Sequence, residues 1–368
     1  MQFVKHIPHS IVSLRLLSSF MTPQQFGGKI TAHWKTVYES SAHWKDGAFR
    51  NLEHTQSAIN WRQLPGVLCK QIKGHKESAP PKPLPVAPFH SESFFQDASQ
   101  ARFIWYGHSV VLMRLQNQTI LIDPMLGPDA SPIAPTTTKR FSENSLDIAD
   151  QLPDIDLLLM THDHYDHLDY VSIQRLKSKV KHYFVALGVK RHLIRWGVDA
   201  GRITEFDWWQ TTDFQGIQIS FTPTRHFSGR GLSSIAKCLW GGWAFTTPTE
   251  KIWFSGDGGY GSHFKEIGQK LGPFDFAFME CGQYSVDWPE IHLFPEESVQ
   301  AALAARAQKV MPVHWGGFSL SYQHAWYEPA EEFVHFARKN DLHCITPGLG
   351  DLFDTNHSGS THWWNAHK

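Results

Sequence analysis

The 368-residue chain is poor in cysteine, in net charge and in long apolar runs. Its four cysteines, Cys69, Cys238, Cys281 and Cys344, stand far apart and form no CxxC pair. That spacing argues against a disulfide framework and fits a reducing compartment. Lys+Arg number 34 against 35 Asp+Glu, a net charge of −1. A dedicated nucleic-acid binder would carry a basic footprint, so no nucleic-acid partner is expected. No apolar stretch reaches the roughly 18 residues that a spanning helix requires. The N-terminal MQFVKHIPHSIVSLRLLSSF has a short apolar patch broken by Arg15 and no small-residue cleavage site, so it does not read as a signal peptide. Ile11, Leu14, Leu17 and Met21 fall near helical spacing, which suits either an interfacial helix or a short helix packed on the body. The expected location is cytoplasmic, with peripheral attachment at the inner membrane face left open.

Histidine and aromatics are abundant instead. There are 23 His, 25 Phe, 15 Trp and 9 Tyr. Imidazole is the commonest metal ligand and titrates near neutrality, so surplus histidine points to metal or proton chemistry. Residues 79–89 hold five prolines, which predicts a stiff extended spacer. The chain therefore divides into an irregular extension with a Pro-rich linker (1–90), a patterned body (91–355) and a loose polar tail (356–368). Short apolar runs at 103–106, 110–115, 119–124, 156–160, 182–186, 217–222, 252–255, 275–279 and 309–313 predict strands. Helical spacing falls at 170–180, 187–196, 262–271, 295–306 and 328–340. Strands followed by alternating strands and helices imply a layered α/β body. No internal repeat is visible.

Directly after the apolar run Asp156–Met160 comes Thr161-His162-Asp163-His164-Tyr165-Asp166-His167. A dry strand here delivers three imidazoles and a carboxylate onto one loop. Four such ligands this close in sequence cannot all reach one tetrahedral ion, but they can be shared between two neighbouring ions. Two ions need more ligands, and these should follow other strands. His226, Asp257 and His314 each do so, in TPTRHF, FSGDGGY and MPVHWGG. Asp257 has two oxygens and could bridge. Asp163 reads either as support for its neighbours or as a solvated loop carboxylate. Trp208, Trp209, Trp240, Trp243, Trp288 and Phe294 suit a large apolar pocket or a membrane interface, and equally the packing between layers. Tyr260 and Tyr284 are further pocket candidates.

The order HxHxDH, His, GD, HWG resembles the metallo-β-lactamase superfamily. More narrowly, the chain resembles the N-acyl-phosphatidylethanolamine-hydrolysing phospholipase D family. The segments that carry this are WYGHSVVL (105–112), ILIDP (120–124), THDHYDHLDY (161–170), EFDWW (205–209), FTPTRHF (221–227), SGDGGY (255–260), GPFDFAF (272–278), HLFPEES (292–298) and VHWGGF (313–318). The resemblance implies an αββα sandwich with an irregular N-terminal extension. It implies two zinc ions, although other divalent transition metals suit the same ligands. One ion would be held by His162, His164 and His226, the other by Asp166, His167 and His314, with Asp257 between them. It implies that Tyr165 and His292 contact a phospholipid. His108 and Asp123 match positions that orient ligand imidazoles, with strand-end structure as the other reading. The implied reaction is attack by a metal-bridging hydroxide on a phosphodiester, with Asp166, Asp257 and His292 as catalytic groups. The products would be an N-acylethanolamine and a phosphatidic acid. A sugar-phosphate lactonase on the same fold is the alternative. A peripheral membrane contact and a homo-oligomer are left open. The chain departs from the family at Leu293-Phe294, where a Val-Asp pair is usual, and at Glu280-Cys-Gly-Gln-Tyr284, where apolar residues usually precede the Gly.

Overall fold

The computed structural model describes residues 24–55, 74–96, 100–131, 138–231, 234–320, 323–357 and 361–368. The sequence-predicted helix around Ile11–Met21 and the thiol of Cys69 lie outside them. Helix α1 (Ala32–Glu39), the hairpin β1 (Trp44–Lys45) and β2 (Ala48–Phe49), and the short helix α2 (Ser91–Phe95) come first. Then follow β3 (Arg102–Trp105), β4 (Val111–Leu115), β5 (Gln118–Ile122), α3 (Ser145–Gln151), β6 (Ile155–Met160), α4 (Tyr170–Leu176), β7 (Val180–Ala186), α5 (Lys190–Arg195) and β8 (Ile203–Phe206). The second half runs β9 (Thr211–Phe214), β10 (Ile217–Thr222), β11 (Gly242–Thr246), β12 (Lys251–Phe254), α6 (His263–Lys270), β13 (Phe276–Glu280), α7 (Pro295–Ala304), β14 (Lys309–Val313), α8 (Glu328–Lys339) and β15 (His343–Cys344). Strand β16 (Leu352–Asp354) returns to the edge beside β3.

Two sheets result, ordered β16-β3-β4-β5-β6-β7-β8 and β9-β10-β11-β12-β13-β14-β15. Strands β3 to β5 are antiparallel and β5 to β8 parallel; β10 to β12 are antiparallel and β12 to β15 parallel. The two halves share one plan that no sequence repeat announces. This topology fixes where chemistry can gather. β3, β5 and β6 point the same way, so their carboxyl ends lie along one edge of the first sheet. β10, β12, β13 and β14 do the same in the second.

The layers follow from period-two alternation. Ile252, Phe254, Phe276, Phe278, Met311 and Val313 join the core between the sheets. Their neighbours Trp253, Ala277, Met279 and Val310 turn outward and pack with Phe264 and Ile267 of α6, Val299 and Ala302 of α7, and Phe333 and Ala337 of α8. Across the interface Phe103 stacks on Phe276 at 5.3 Å and meets Phe278 edge-on at 5.2 Å. The αββα arrangement implied by the sequence is the one observed.

Several boundaries differ from expectation. The helix from Tyr170 ends at Leu176 rather than 180, because Val180 begins the buried strand β7. Its start is capped by Asp169, whose carboxylate accepts from the Ser172 N–H. The Pro-rich stretch is no free spacer. Leu84 is buried, its N–H donates to the Phe141 carbonyl, and the Ala87 N–H donates to the Leu349 carbonyl. The tail is not loose at its end either. Trp364 is fully buried, edge-on to Trp315 at 5.3 Å, and Trp363 stacks on the same ring at 5.4 Å. Burying two indoles outweighs the entropy of ordering a few polar residues. The extension also packs on the body, with Tyr38 and Phe49 in the main core.

Candidate metal centre

The strand ends described above bring His162, His164, Asp166 and His167 (after β6) together with His226 (after β10), Asp257 (after β12) and His314 (after β14). His164 Nδ1 lies 2.8 Å from His162 Nε2 and 3.2 Å from His226 Nε2. Asp257 Oδ2 lies 3.2 Å from His167 Nε2 and 3.7 Å from His226 Nε2, while its Oδ1 lies 2.5 Å from His314 Nε2. The two oxygens of Asp257 thus face different histidines, as a bridging carboxylate requires. Asp166 Oδ2 stands 3.5 Å from both His167 Nε2 and His108 Nε2.

The far side of each imidazole decides which nitrogen is free. His226 Nδ1 faces the Ile291 carbonyl at 2.9 Å and must donate to it. The Thr161 hydroxyl donates to Asp123 Oδ2 at 2.6 Å, so its oxygen accepts from His162 Nδ1 at 3.0 Å. Asp123 Oδ2 also accepts from His167 Nδ1 at 2.7 Å, and Asp123 Oδ1 from the Thr161 N–H at 2.8 Å. Asp123 therefore orients a candidate ligand, as its motif position implies. His162 and His226 consequently turn Nε2 lone pairs toward His164, whose single ring proton can serve only one of them. Burial pushes His162, His164 and His226 below the ordinary imidazole pKa, so they stay neutral. Burial opposes charge on His167 as well, but Asp257, Asp166 and Asp123 outweigh it and raise its pKa well above the usual value.

This donor set fits divalent ions. Lone pairs converge where no proton can satisfy them, and neutral imidazoles with ionised carboxylates are the forms that ligate. Among the described residues His108 Nε2 is buried without a hydrogen-bond partner, and Asp257 Oδ1 and His314 Nε2, also buried, face only each other, 2.5 Å apart and out of hydrogen-bond alignment. An unpaired buried polar atom costs about 1–3 kcal/mol. His162, His164 and His226 offer ligand atoms within 4.8 Å of one another, as do His108, Asp166 and His167. His108 therefore points into the centre itself. His108, Asp123 and His314 adopt left-handed backbone with φ of 52°, 41° and 71°. Such strain, of order 1–3 kcal/mol each, gathers at functional sites.

His292 sits beside the centre, its ring 5.1 Å from that of His226. Tyr165 is half-buried; its hydroxyl donates to the Arg230 carbonyl at 2.7 Å and the Arg230 guanidinium covers its ring at 3.9 Å. The hydroxyl and one face of the ring are therefore both engaged by Arg230. Trp208, Trp240 and Trp243 are buried and serve packing, whereas Trp209, Trp288 and Phe294 are partly exposed.

Residues other than the candidate ligands also build the site. Arg230 Nη1 donates to the carbonyls of Asp163 (2.8 Å) and Leu168 (2.7 Å), bracing both ends of the ligand loop. Asp163 is no solvated carboxylate. It is fully buried and accepts from the Gly229 N–H, from His192 Nε2 and from the Cys238 thiol at 2.7, 3.2 and 3.1 Å. This Asp-His-Cys trio has metal-ligand composition, but the Gly28 N–H donates to His192 Nδ1, which keeps the proton on Nε2. It is a hydrogen-bonded knot behind the centre. Asn51, from the extension, clamps the His226 backbone from both sides.

A family described as a beta-lactamase superfamily domain matches residues 118–315. An uncharacterized protein of Mycobacterium tuberculosis is 35% identical over 350 residues, covering 93% of this chain and 92% of that one. The chain belongs to the metallo-β-lactamase superfamily. Within it, the chain is 30% identical over 331 residues to N-acyl-phosphatidylethanolamine-hydrolyzing phospholipase D 1 of Caenorhabditis elegans, covering 83% of this chain and 92% of that relative. Igni18, a metallo hydrolase of Ignicoccus hospitalis, shares the superfamily fold at a TM-score of 0.53 and 18% identity, over 71% of this chain and 100% of its own.

Proposed function

We infer that the chain is a metal-dependent hydrolase, and more narrowly a phosphodiesterase that cleaves N-acyl-phosphatidylethanolamine-like phospholipids to an N-acylethanolamine and a phosphatidic acid. Similarity to the C. elegans phospholipase D over 83% of this chain and 92% of that relative supports the substrate assignment. The convergence of lone pairs at His162, His164, His226 and Asp257 supports the metal dependence. Two zinc ions are the proposed complement. Such ions supply Lewis acidity and bring the pKa of water from roughly 15.7 to about 7.

The chain's own residues do the rest. His162, His164 and His226 form one ligand group, and Asp166, His167 and His314 the other, with Asp257 between. Asp123 and Thr161 hold two of these rings in register. The buried strand ends exclude bulk water from the inner side. His292 is placed to bind a phosphoryl oxygen or to hand a proton to the departing alcohol. Tyr165, half-buried on the ligand loop, is the second proposed phospholipid contact. Val286 is 70% exposed and Tyr260 40% exposed, on the loops that carry His292 and Asp257. Apolar groups there suit acyl chains and a peripheral membrane contact from the cytoplasmic side. Among the described residues no helix is long and apolar enough to cross a membrane.

The test is incubation of the zinc-loaded protein with an N-acyl-phosphatidylethanolamine and mass spectrometry of both products. Release of N-acylethanolamine with phosphatidic acid is expected. No release, together with turnover of a sugar-phosphate lactone, would replace this reading with the lactonase.

A further inference from the structure

Glu280 ends strand β13, at the edge where the ligand-bearing loops gather, and it is fully buried. By the alternation of that strand its side chain faces inward with Phe276 and Phe278. Glu280 Oε1 lies 2.9 Å from His292 Nδ1, and Oε2 accepts the Leu293 N–H at 2.8 Å. Its own N–H donates to Ser255 Oγ at 2.9 Å, and its carbonyl accepts from Ser298 Oγ at 2.5 Å. One carboxylate thus grips both the ring of His292 and the backbone that follows. The preceding carbonyl, of Ile291, is held by His226 Nδ1. Residues 291–293 are clamped between a candidate ligand and Glu280, and His292, His226 and Asp257 offer ligand-type atoms within 4.8 Å of one another.

A carboxylate can only accept, so the proton of the His292 ring is held on Nδ1 and Nε2 is turned to the centre. We propose that Glu280 is the positioning residue of His292, keeping Nδ1 protonated and fixing the ring orientation so that Nε2, when it too carries a proton, donates it to the phosphoryl or leaving oxygen of the substrate. Glu280 takes the place of an apolar residue in the ECGQY stretch, where sequence alone offers no reason for a buried charge. A carboxylate behind a histidine plays this orienting part in other hydrolytic sites. The kinetic consequence rests on the phosphodiesterase reading; the tautomer does not.

Glu280→Gln gives a sharp test. The Leu293 N–H cannot change its role, so it claims the amide oxygen. The amide NH2 then faces His292 Nδ1, which must become an acceptor, and the ring proton moves to Nε2. Long-range 1H–15N correlation spectra of 15N-histidine-labelled full-length protein, with and without zinc, read this directly. The His292 signal is assigned by its loss in His292→Gln. Wild type should show protonated Nδ1, and Glu280→Gln a bare Nδ1 with the proton on Nε2. With N-acyl-phosphatidylethanolamine, kcat should fall by about 10²-fold or more, with KM and bound zinc little changed. An unprotonated Nδ1 in the wild type would overturn the proposal without any variant. So would an unmoved tautomer in Glu280→Gln, or a moved tautomer with unchanged kcat. If the wild type turns over no phospholipid, the functional reading fails while the spectra still decide the role of Glu280.

Discussion

Asn51 holds His226 by its backbone: Asn51 Nδ2 donates to the His226 carbonyl at 2.8 Å, and Asn51 Oδ1 accepts the His226 N–H at 3.1 Å. The indole of Trp240 donates to the same Oδ1 at 3.0 Å and fixes the amide's orientation. A residue from the irregular extension, 175 positions away, therefore sets where a candidate ligand stands.

Asn51→Ala removes both bonds and frees the His226 loop. Zinc affinity should fall about 10- to 100-fold, as when an outer partner of a ligand is lost. Competitive titration against a chromophoric chelator measures it. Unaltered affinity would separate the extension from the site.

Asp257 faces His226 and His167 with one oxygen and His314 with the other. Asp257→Ala should lose bound metal and turnover together, as seen by elemental analysis and product assay. Retained turnover would remove Asp257 from the bridge. Chelation of the wild type should lower the melting temperature, because a ligand at 1,000 times its Kd stabilises by about 4 kcal/mol.

Gly282 lets the β13 loop pass against the β14 loop. A Cβ there would stand 1.9 Å from the His314 carbonyl oxygen. Gly282→Ala must move one of two buried backbones, and unfolding free energy should drop by more than about 3 kcal/mol. Urea denaturation reads this; a loss under about 1 kcal/mol would show the two loops to be readily displaced.

Glu250 offers a pH test away from the site. Its Oε1 accepts from the Ala101 N–H, but Oε2 is buried without a partner among the described residues. Burial raises its pKa from 4.5 to about 7. The folded state therefore prefers the protonated acid. Below the unfolded pKa neither state is ionised and the group costs nothing. As pH rises from 4.5 through about 7 the unfolded state ionises first, and stability is lost. Glu250→Gln keeps the bond to Ala101 and removes the penalty. It should gain about 1–2 kcal/mol at pH 8, after discounting for solvent screening, and nothing at pH 4. An equal gain at both pH values would rule out ionisation as the cause.

The ligand set is legible in the chain because strand ends carry it. A dry apolar run followed by His-x-His-x-Asp-His needs no tertiary knowledge, and His226, Asp257 and His314 each follow a run of the same kind. The layered α/β body is legible for a similar reason, since period-two and helical spacing are local properties. What sits behind the ligands is not local. Asn51, Glu280 and Arg230 lack distinguishing neighbours, and their partners, like those of Asp163 within the motif, lie 12 to 205 positions away. Of the two readings open for Asp163, the solvated carboxylate fails, because burial depends on what folds over a loop. The tail likewise reads as polar until Trp315 supplies a face for Trp363 and Trp364.

By itself the sequence determined which side chains could bind metal and that they would leave strands at their carboxyl ends. Only the tertiary structure decided that two sheets present those ends at a common site, which nitrogen of each imidazole is free, and which buried oxygens hold the rings in place. Ligand identity is a property of residue type and spacing. Proton position is set by the partner on the far side of each ring, and folding alone brings that partner there.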